Sequence, residues 1–435
     1  MTMYYNEEVE TMPIEEKKLL QGARLREVVK REYDNVPTYR AKMDAIGLKP
    51  EDIKTIDDIV KLPFTTKQDL RNNYPFGMFA CPQSEIVRIH ASSGTTGKLT
   101  VVGYTQRDLD DWSEGVARGF VSGGVDKNST IHVAYGYGLF TGGLGAHYGG
   151  ELIGATVVPV SGGNTARQIM LMKDFKADTL CCTPSYAIYL VDEMKKMGMA
   201  PDELSLKRGF FGAEPWTKEM RDKIEEGLGI KAYDIYGLSE ISGPGVACEC
   251  EYQAGPHVQD DFFYPEIIDP DTLEPLPNGE RGELVFTTLN KQGIPLIRYR
   301  TRDICALIDE PCKCGRTSLR LARITGRTDD MLIIRGVNVF PSQVESALIN
   351  CDPRISPHYH ITVDRINNLD MMSVEVELAR GVAFDEVKVI EELTKKLTAD
   401  IASAIGISAK VKLVSSGGLA RSEGKAKLVT DNRKI

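Results

Sequence analysis

Apolar and polar positions change their period along this chain, and the changes mark out its parts. Residues 14–33 set Leu19, Leu20, Ala23, Val28 and Val29 among many charges, which predicts an amphipathic helix. From about residue 87, β-rich runs at 130–134, 156–160, 179–183 and 207–211 alternate with helical stretches such as 165–175 and 184–197. That alternation predicts layered α/β structure with largely parallel strands. Between residues 266 and 307 the runs shorten and turn signals such as Pro277-Asn278-Gly279 intervene, which predicts a smaller β-rich subdomain. The end of the chain differs again: strands over 358–364, 372–378 and 410–414 with a helix over 384–405 make a small α+β module. The join falls near Gly326-Arg327-Thr328-Asp329, giving domains of 1–328 and 329–435.

Composition narrows the class. The 435 residues are 42% hydrophobic and 26% charged, an ordinary globular balance for two or three domains. No apolar run is long enough to cross a bilayer, and the acidic opening residues 1–10 lack the apolar core of a leader. A cytoplasmic chain with no membrane partner is expected. A net charge of −9 argues against a nucleic-acid partner, but a nucleotide needs only a few local donors.

The nine cysteines are scattered, as in a reducing compartment. Cys81, Cys181, Cys182, Cys305 and Cys351 read as small buried apolar residues. The others form two close pairs: Cys248-Glu249-Cys250, followed by Gly255-Pro256-His257, and Cys312-Lys313-Cys314-Gly315-Arg316. Three thiolates and an imidazole complete a closed structural zinc site. Unligated cytosolic cysteines are the other reading of so loose a pattern.

The sharpest local signal is Ala91-Ser92-Ser93-Gly94-Thr95-Thr96-Gly97-Lys98, after a strand-like run over 86–90. Glycines let the backbone turn tightly and bring N–H groups to a polyanion, the hydroxyls add donors, and Lys98 adds charge. This suits the outer phosphates of a nucleoside triphosphate. It is not the Walker loop, which would need glycine at Ser92 and a hydroxyl at Leu99. Residues 136–150 are also glycine-rich but break the dinucleotide fingerprint at Tyr148.

Further motifs follow in order: Phe211-Gly212-Ala213-Glu214-Pro215, Tyr236-Gly237-Leu238-Ser239-Glu240, Tyr299-Arg300-Thr301-Arg302-Asp303, Gly326-Arg327-Thr328-Asp329-Asp330 and Ser422-Glu423-Gly424-Lys425. The series resembles the adenylate-forming superfamily of acyl-CoA synthetases, peptide-synthetase adenylation domains and luciferases. Essentially the whole chain is similar to the phenylacetate–CoA ligase family within it, as in Leu62-Pro63-Phe64-Thr65-Thr66-Lys67 and Arg335-Gly336-Val337-Asn338-Val339-Phe340-Pro341.

The resemblance implies a large adenylate-forming α/β domain and a small mobile α+β domain. It implies that Ser92, Ser93, Gly94, Thr95, Thr96, Gly97 and Lys98 hold the β/γ-phosphates. Gly212, Ala213, Glu214 and Pro215, with Asp234, Ile235, Tyr236 and Gly237, line the adenine and α-phosphate. Glu240 binds Mg²⁺, Asp303 accepts from the ribose hydroxyls, and Arg327 reaches the ribose or phosphate. Asp329 is the hinge, and Lys425 is the catalytic lysine, in contact with carboxylate and α-phosphate. The physical logic agrees, since a carboxylate attacking a phosphate joins two anions and calls for a cation. By itself, Lys425 lies in a polar run between Arg421 and Lys427 that reads as solvated surface. Where many superfamily members have Thr-Gly-Asp, this chain has Thr301-Arg302-Asp303.

Tyr135, Tyr137 and Phe140 with Gly142 combine flat apolar walls with space, as an aryl acid needs. The family resemblance places this segment in the acyl pocket; core packing is the plainer reading. After adenylation the C-terminal domain would rotate, and Arg335, Gly336 and Val337 would admit coenzyme A. In relatives, a Glu-Cys…His…Cys-x-Cys-Gly-Arg-Thr pattern favours Cys250, His257, Cys312 and Cys314 over Cys248 as zinc ligands. The expected partners are thus an aryl acid, ATP with Mg²⁺, and coenzyme A; a homodimer is the assembly that the short N-terminal region allows. The expected reaction converts phenylacetate to phenylacetyl-CoA with release of AMP and pyrophosphate. Its alternatives are another arylacetate such as indoleacetate, adenylyl transfer onto a hydroxyl as in deazaflavin-coenzyme enzymes, and a nucleotide-binding regulatory protein with a degenerate site.

Overall fold

Pro13 precedes the first long helix and Pro37 stops it, so α1 spans Ile14–Asn35, close to its predicted span. Its buried stripe runs through Gln21, Gly22, Leu25, Val28, Val29 and Glu32, whereas Leu19 faces solvent. The computed structural model describes residues 4–92, 99–328, 332–335, 337–366, 369–382, 387–419 and 428–433. The chain divides into two compact units, one of Met1–Ala213 with Gly227–Ile324 and one of Glu214–Glu226 with Thr325–Ile435.

In the first unit, β1 (Arg88–Ser92) and β2 (Thr100–Tyr104) form an antiparallel ribbon. The main sheet is built on β3 (Thr130–Val133), β4 (Thr156–Pro159), β5 (Thr179–Cys182), β6 (Arg208–Gly212) and β7 (Lys231–Leu238), all parallel. These are the alternating β runs of the sequence, with helices Thr165–Asp174 and Pro184–Met197 between them. Antiparallel strands extend one edge: β8 (Gly243–Cys248) and β9 (His257–Val258).

A smaller antiparallel set, β10 (Phe263–Ile268), β11 (Gly282–Thr288) and β12 (Tyr299–Cys305), is the predicted β-rich region. The chain then returns to the main sheet as β13 (Leu307–Ile308) and β14 (Arg320–Leu321), completing the order β13-β14-β9-β8-β7-β6-β5-β3-β4.

Two further helices pack together, α2 (Gln106–Ser122) and α3 (Gly142–Ile153). The glycine-rich run that forms α3 carries no helical signal in the sequence, because glycine is a poor helix former. Here the glycines let the backbone close in: a Cβ on Gly149 would fall 2.4 Å from Val116 of α2, and one on Gly145 would fall 2.7 Å from Trp112.

The second unit has its own core, in which Ile361, Val363, Val374, Val376, Leu397 and Ile401 are buried. Strands Lys410–Val414, Leu369–Leu378, Ile355–Ile366 and Val429–Asp431 form one sheet, accompanied by helices Pro341–Cys351 and Val387–Ile405. None of the described helices is long and apolar enough to cross a membrane.

Candidate active site

Two groups from separate parts of the first unit meet at one carboxylate, that of Glu240. Ser92, the last residue of β1, donates its hydroxyl to Glu240 Oε1 at 3.2 Å. Lys67 Nζ lies 3.1 Å from the same oxygen. Glu240 itself is buried, on the turn between β7 and β8. The glycine- and hydroxyl-rich loop therefore leaves β1 beside a buried carboxylate and a lysine. Its residues Ser93, Gly94, Thr95, Thr96, Gly97 and Lys98 lie outside the described residues, as do Asp329, Gly336 and Lys425.

The motif glycines Gly212 and Gly237 have a steric reason of their own. A Cβ on Gly212 would stand 2.0 Å from the Ile235 carbonyl oxygen, and one on Gly237 would stand 1.8 Å from that of Gly243. Only glycine lets the strand ends close in this way. Ala213 follows with φ 73°, in the left-handed region.

Tyr236, between those glycines, donates its hydroxyl to Asp303 Oδ2 at 2.5 Å. Asp303 is buried on β12, and its amide donates to Thr301 Oγ1 at 3.0 Å. The Arg302 departure resolves simply: Arg302 takes φ 71°, where glycine would be relaxed, and its guanidinium turns to Glu283 at 3.5 Å. Asp234 and Ile235 lie on β7, where the Asp234 amide donates to Glu249 Oε2 at 2.8 Å.

Of the expected acyl-pocket residues, Tyr135 is buried with its hydroxyl on the Phe210 carbonyl at 3.4 Å. Tyr137 is half-buried and bonds His147 Nδ1 at 3.3 Å, while His147 Nε2 pairs with Glu151 at 3.0 Å. Phe140 is partly exposed, and Gly142 opens α3 where a Cβ would meet the Phe140 ring at 2.4 Å.

In the second unit, Glu214 and Pro215 belong to its Glu214–Glu226 segment, and Arg327 ends the short strand Gly326–Arg327. Arg335 is exposed at φ 52° and donates to the Ser408 carbonyl at 2.6 Å, and Val337 begins the strand Val337–Val339.

Strand order unites the two cysteine pairs. Cys250 follows β8, His257 opens β9, and Cys312 and Cys314 lie between β13 and β14, which pairs with β9. The ligand atoms of Cys250, His257, Cys312 and Cys314 all lie within 4.8 Å of one another. Cys250 Sγ is 3.8 Å from Cys312 Sγ, and Cys314 Sγ is 3.3 Å from His257 Nε2. Tetrahedral zinc with Zn–S of about 2.3 Å sets sulfurs about 3.8 Å apart, so the donors fit. The Cys314 thiol is held far below its ordinary range, chiefly by the Cys250 thiol and then by His257, while Cys250 is correspondingly raised. Ser318 Oγ, 3.1 Å from His257 Nδ1, fixes the ring from behind. Cys248 instead packs beneath Gly119, where a Cβ would stand 2.7 Å away, and burial raises its thiol.

Neither Lys67 nor Lys291 was assigned a role from sequence. Lys291 is buried and donates to the carbonyls of Glu240 at 3.2 Å and Ile241 at 2.5 Å. Burial pushes it down to about 8. A lysine in the polar run Asn290-Lys291-Gln292 reads as solvated, and only the tertiary structure turns it inward.

The family described as AMP-binding enzyme matches residues 28–290, and the AMP-binding enzyme C-terminal domain matches residues 336–433. A phenylacetate-coenzyme A ligase of Escherichia coli (strain K12) is 52% identical, over 98% of this chain and 97% of its own. One from Thermus thermophilus is 49% identical over 99% and 100%. Among solved structures, 2-hydroxyisobutyryl-CoA ligase in the postadenylation state, in complex with 2-HIB-AMP, is similar with a TM-score of 0.93 at 30% identity. That match covers 99% of this chain and 93% of the other.

Proposed function

The chain belongs to the AMP-binding enzymes and, within them, to the phenylacetate–coenzyme A ligases, and from that premise we propose how its residues share the reaction. It is an AMP-forming acid–thiol ligase that converts phenylacetate, ATP and coenzyme A to phenylacetyl-CoA, AMP and pyrophosphate. The observation that best supports a division of labour is the meeting of Ser92 and Lys67 on Glu240 where the glycine- and hydroxyl-rich loop begins.

In this proposal Ser92 through Lys98 wrap the β- and γ-phosphates with backbone N–H groups and hydroxyls. Glu240, whose carboxylate already has a cation beside it, would hold Mg²⁺, which offsets phosphate charge when bound. Asp303, oriented by Tyr236, accepts from the ribose hydroxyls, and Arg327 adds a donor there. Residues 212–215 and 234–237 enclose the adenine and α-phosphate. Lys425 is brought beside the attacking carboxylate and the α-phosphate, so the two anions meet across an ammonium. Tyr137, Phe140 and Gly142 shape the acyl end, with Tyr135 behind them. Asp329 serves as the hinge, and Arg335, Gly336 and Val337 then face the pantetheine arm.

Cys250, His257, Cys312 and Cys314 would hold a structural zinc, which supplies a cross-link rather than chemistry. We place the chain in the cytoplasm, where thiols stay reduced.

The test is a panel of acids with ATP, Mg²⁺ and coenzyme A, scored by AMP, pyrophosphate and thioester. Phenylacetate should give all three. Ring-substituted arylacetates should differ from it by about 1–3 kcal/mol in specificity, the discrimination an apolar pocket can supply. Pyrophosphate release without thiol consumption, with AMP on a hydroxyl acceptor, would overturn the reading.

A further inference from the structure

The loop between β11 and β12 is tied down on both sides of Lys291. Asn290 Nδ2 donates to Asp111 at 2.7 Å. The amides of Gln292 and Gly293 donate to the two oxygens of Asp108 at 2.6 and 2.8 Å. Asp108 and Asp111 both belong to the first turns of α2. The side chain between these anchors has one direction left, into the core, where its ammonium lies 4.6 Å from the centre of the Tyr104 ring.

The targets of that ammonium are unusual. A buried lysine is costly, and one that persists is ordinarily matched by a carboxylate. Lys291 donates to the backbone carbonyls of Glu240 and Ile241, and the nearby carboxylates of Asp108 and Glu240 favour its charged form from farther off. Next to them, the Tyr104 hydroxyl donates to the Ser239 carbonyl at 3.2 Å. Three consecutive carbonyls, of Ser239, Glu240 and Ile241, are thus held from one side. With its backbone fixed this way, the Glu240 side chain stands toward Ser92 and Lys67.

We propose that Lys291 is a positioning residue for adenylation, locking the turn that carries Glu240 and placing a fixed positive charge behind the carboxylate. This rests on the reading above that Glu240 holds the nucleotide-bound Mg²⁺. Tyr104 is its partner in the lock. The acyl end and the coenzyme A step do not depend on it.

The test measures binding of ATP to the full chain by calorimetry as Mg²⁺ is varied, without acid, alongside KM for ATP and for phenylacetate. Lys291→Met removes the charge and keeps the bulk. It should weaken Mg²⁺-dependent ATP binding by about 10-fold or more, the loss expected for a charge-assisted contact. KM for phenylacetate should move by less than about 3-fold, since an independent subsite is untouched. Lys291→Arg should recover part of the ATP binding. Should Lys291→Met fail to fold, Tyr104→Phe, which removes the neighbouring donor and keeps the ring, should show a smaller loss confined to ATP and Mg²⁺.

Glu240→Gln separates this inference from its premise. If Glu240→Gln leaves the Mg²⁺ dependence unchanged, the Glu240 reading has failed. If it shifts that dependence while folded Lys291→Met or Tyr104→Phe does not, the Lys291 inference alone is overturned. Equal losses for ATP and phenylacetate in the lysine variant also overturn it, because a general weakening of the fold moves both.

Discussion

Single residues in this chain often act for reasons that their type alone does not disclose. Gly212 and Gly237 read as nucleotide-motif glycines, and the structure adds that neighbouring carbonyls leave no space for a Cβ. Arg302 looked like an intruding cation but takes a glycine-like φ and turns to Glu283. Lys291 gave no signal, because a lysine among polar neighbours looks alike whether it is solvated or pinned, and Lys67 stood within a motif that assigned it no role. Glu32 is the sharpest case. It lies on the buried face of α1, fully enclosed, and neither carboxylate oxygen has a hydrogen-bond partner. Burial raises it well above the ordinary carboxyl range, with Lys42 only partly opposing. A carboxyl raised on folding binds more protons in the native state. Its cost is therefore absent below the unfolded pKa of about 4.3 and grows as pH rises toward the folded value. Glu32→Leu should stabilise the chain by about 1–3 kcal/mol at neutral pH, the cost of an unpaired buried polar group. In denaturant melts the gain should shrink toward pH 4–5, near the reference carboxyl value; a gain that is absent or independent of pH would refute the assignment.

Elements were legible wherever their period was clean. The parallel strands, the helix Pro184–Met197 and the C-terminal strands fall within a few residues of their predicted spans. The glycine-rich α3 was not legible, because its residues are chosen for close packing on α2 rather than for helix propensity. Nor could spacing alone join the two cysteine pairs, which meet only because β14 lies beside β9. That edge also anchors the start of the chain: Tyr4 donates to the Cys314 carbonyl at 2.6 Å, and Arg316 pairs with Glu10 at 2.7 Å. A zinc there should therefore do more than join two loops. We expect about one zinc per chain by elemental analysis, as for a four-ligand structural site. Chelation or Cys312→Ser should lower the melting temperature and open residues near Glu10 to protease. Metal-free protein with the same melting temperature and cleavage pattern would count against the site.

At the scale of the whole molecule, the chain joins a large unit bearing the Glu240, Asp303 and Gly212 motifs to a smaller one bearing Arg335 and Val337. The order of the motifs gave the family and the reaction, because the chemistry needs its groups in the same fold positions. The distribution of groups over two units suits a reaction in two halves, and in our proposal adenylation needs Lys425 while thioester formation does not. The most direct measurement mixes the chain with ATP, Mg²⁺ and phenylacetate, without coenzyme A, and follows pyrophosphate before the thiol is added. A burst of about one pyrophosphate per chain should appear, leaving bound phenylacetyl-AMP, as expected of an accumulating intermediate. Coenzyme A should then release phenylacetyl-CoA and AMP. Lys425→Ala should slow the burst by about 100-fold or more, the loss typical of a charge-stabilising group, and still convert supplied phenylacetyl-AMP. Pyrophosphate that appears only with the thiol, or ADP in place of AMP, would contradict an acyl-adenylate route.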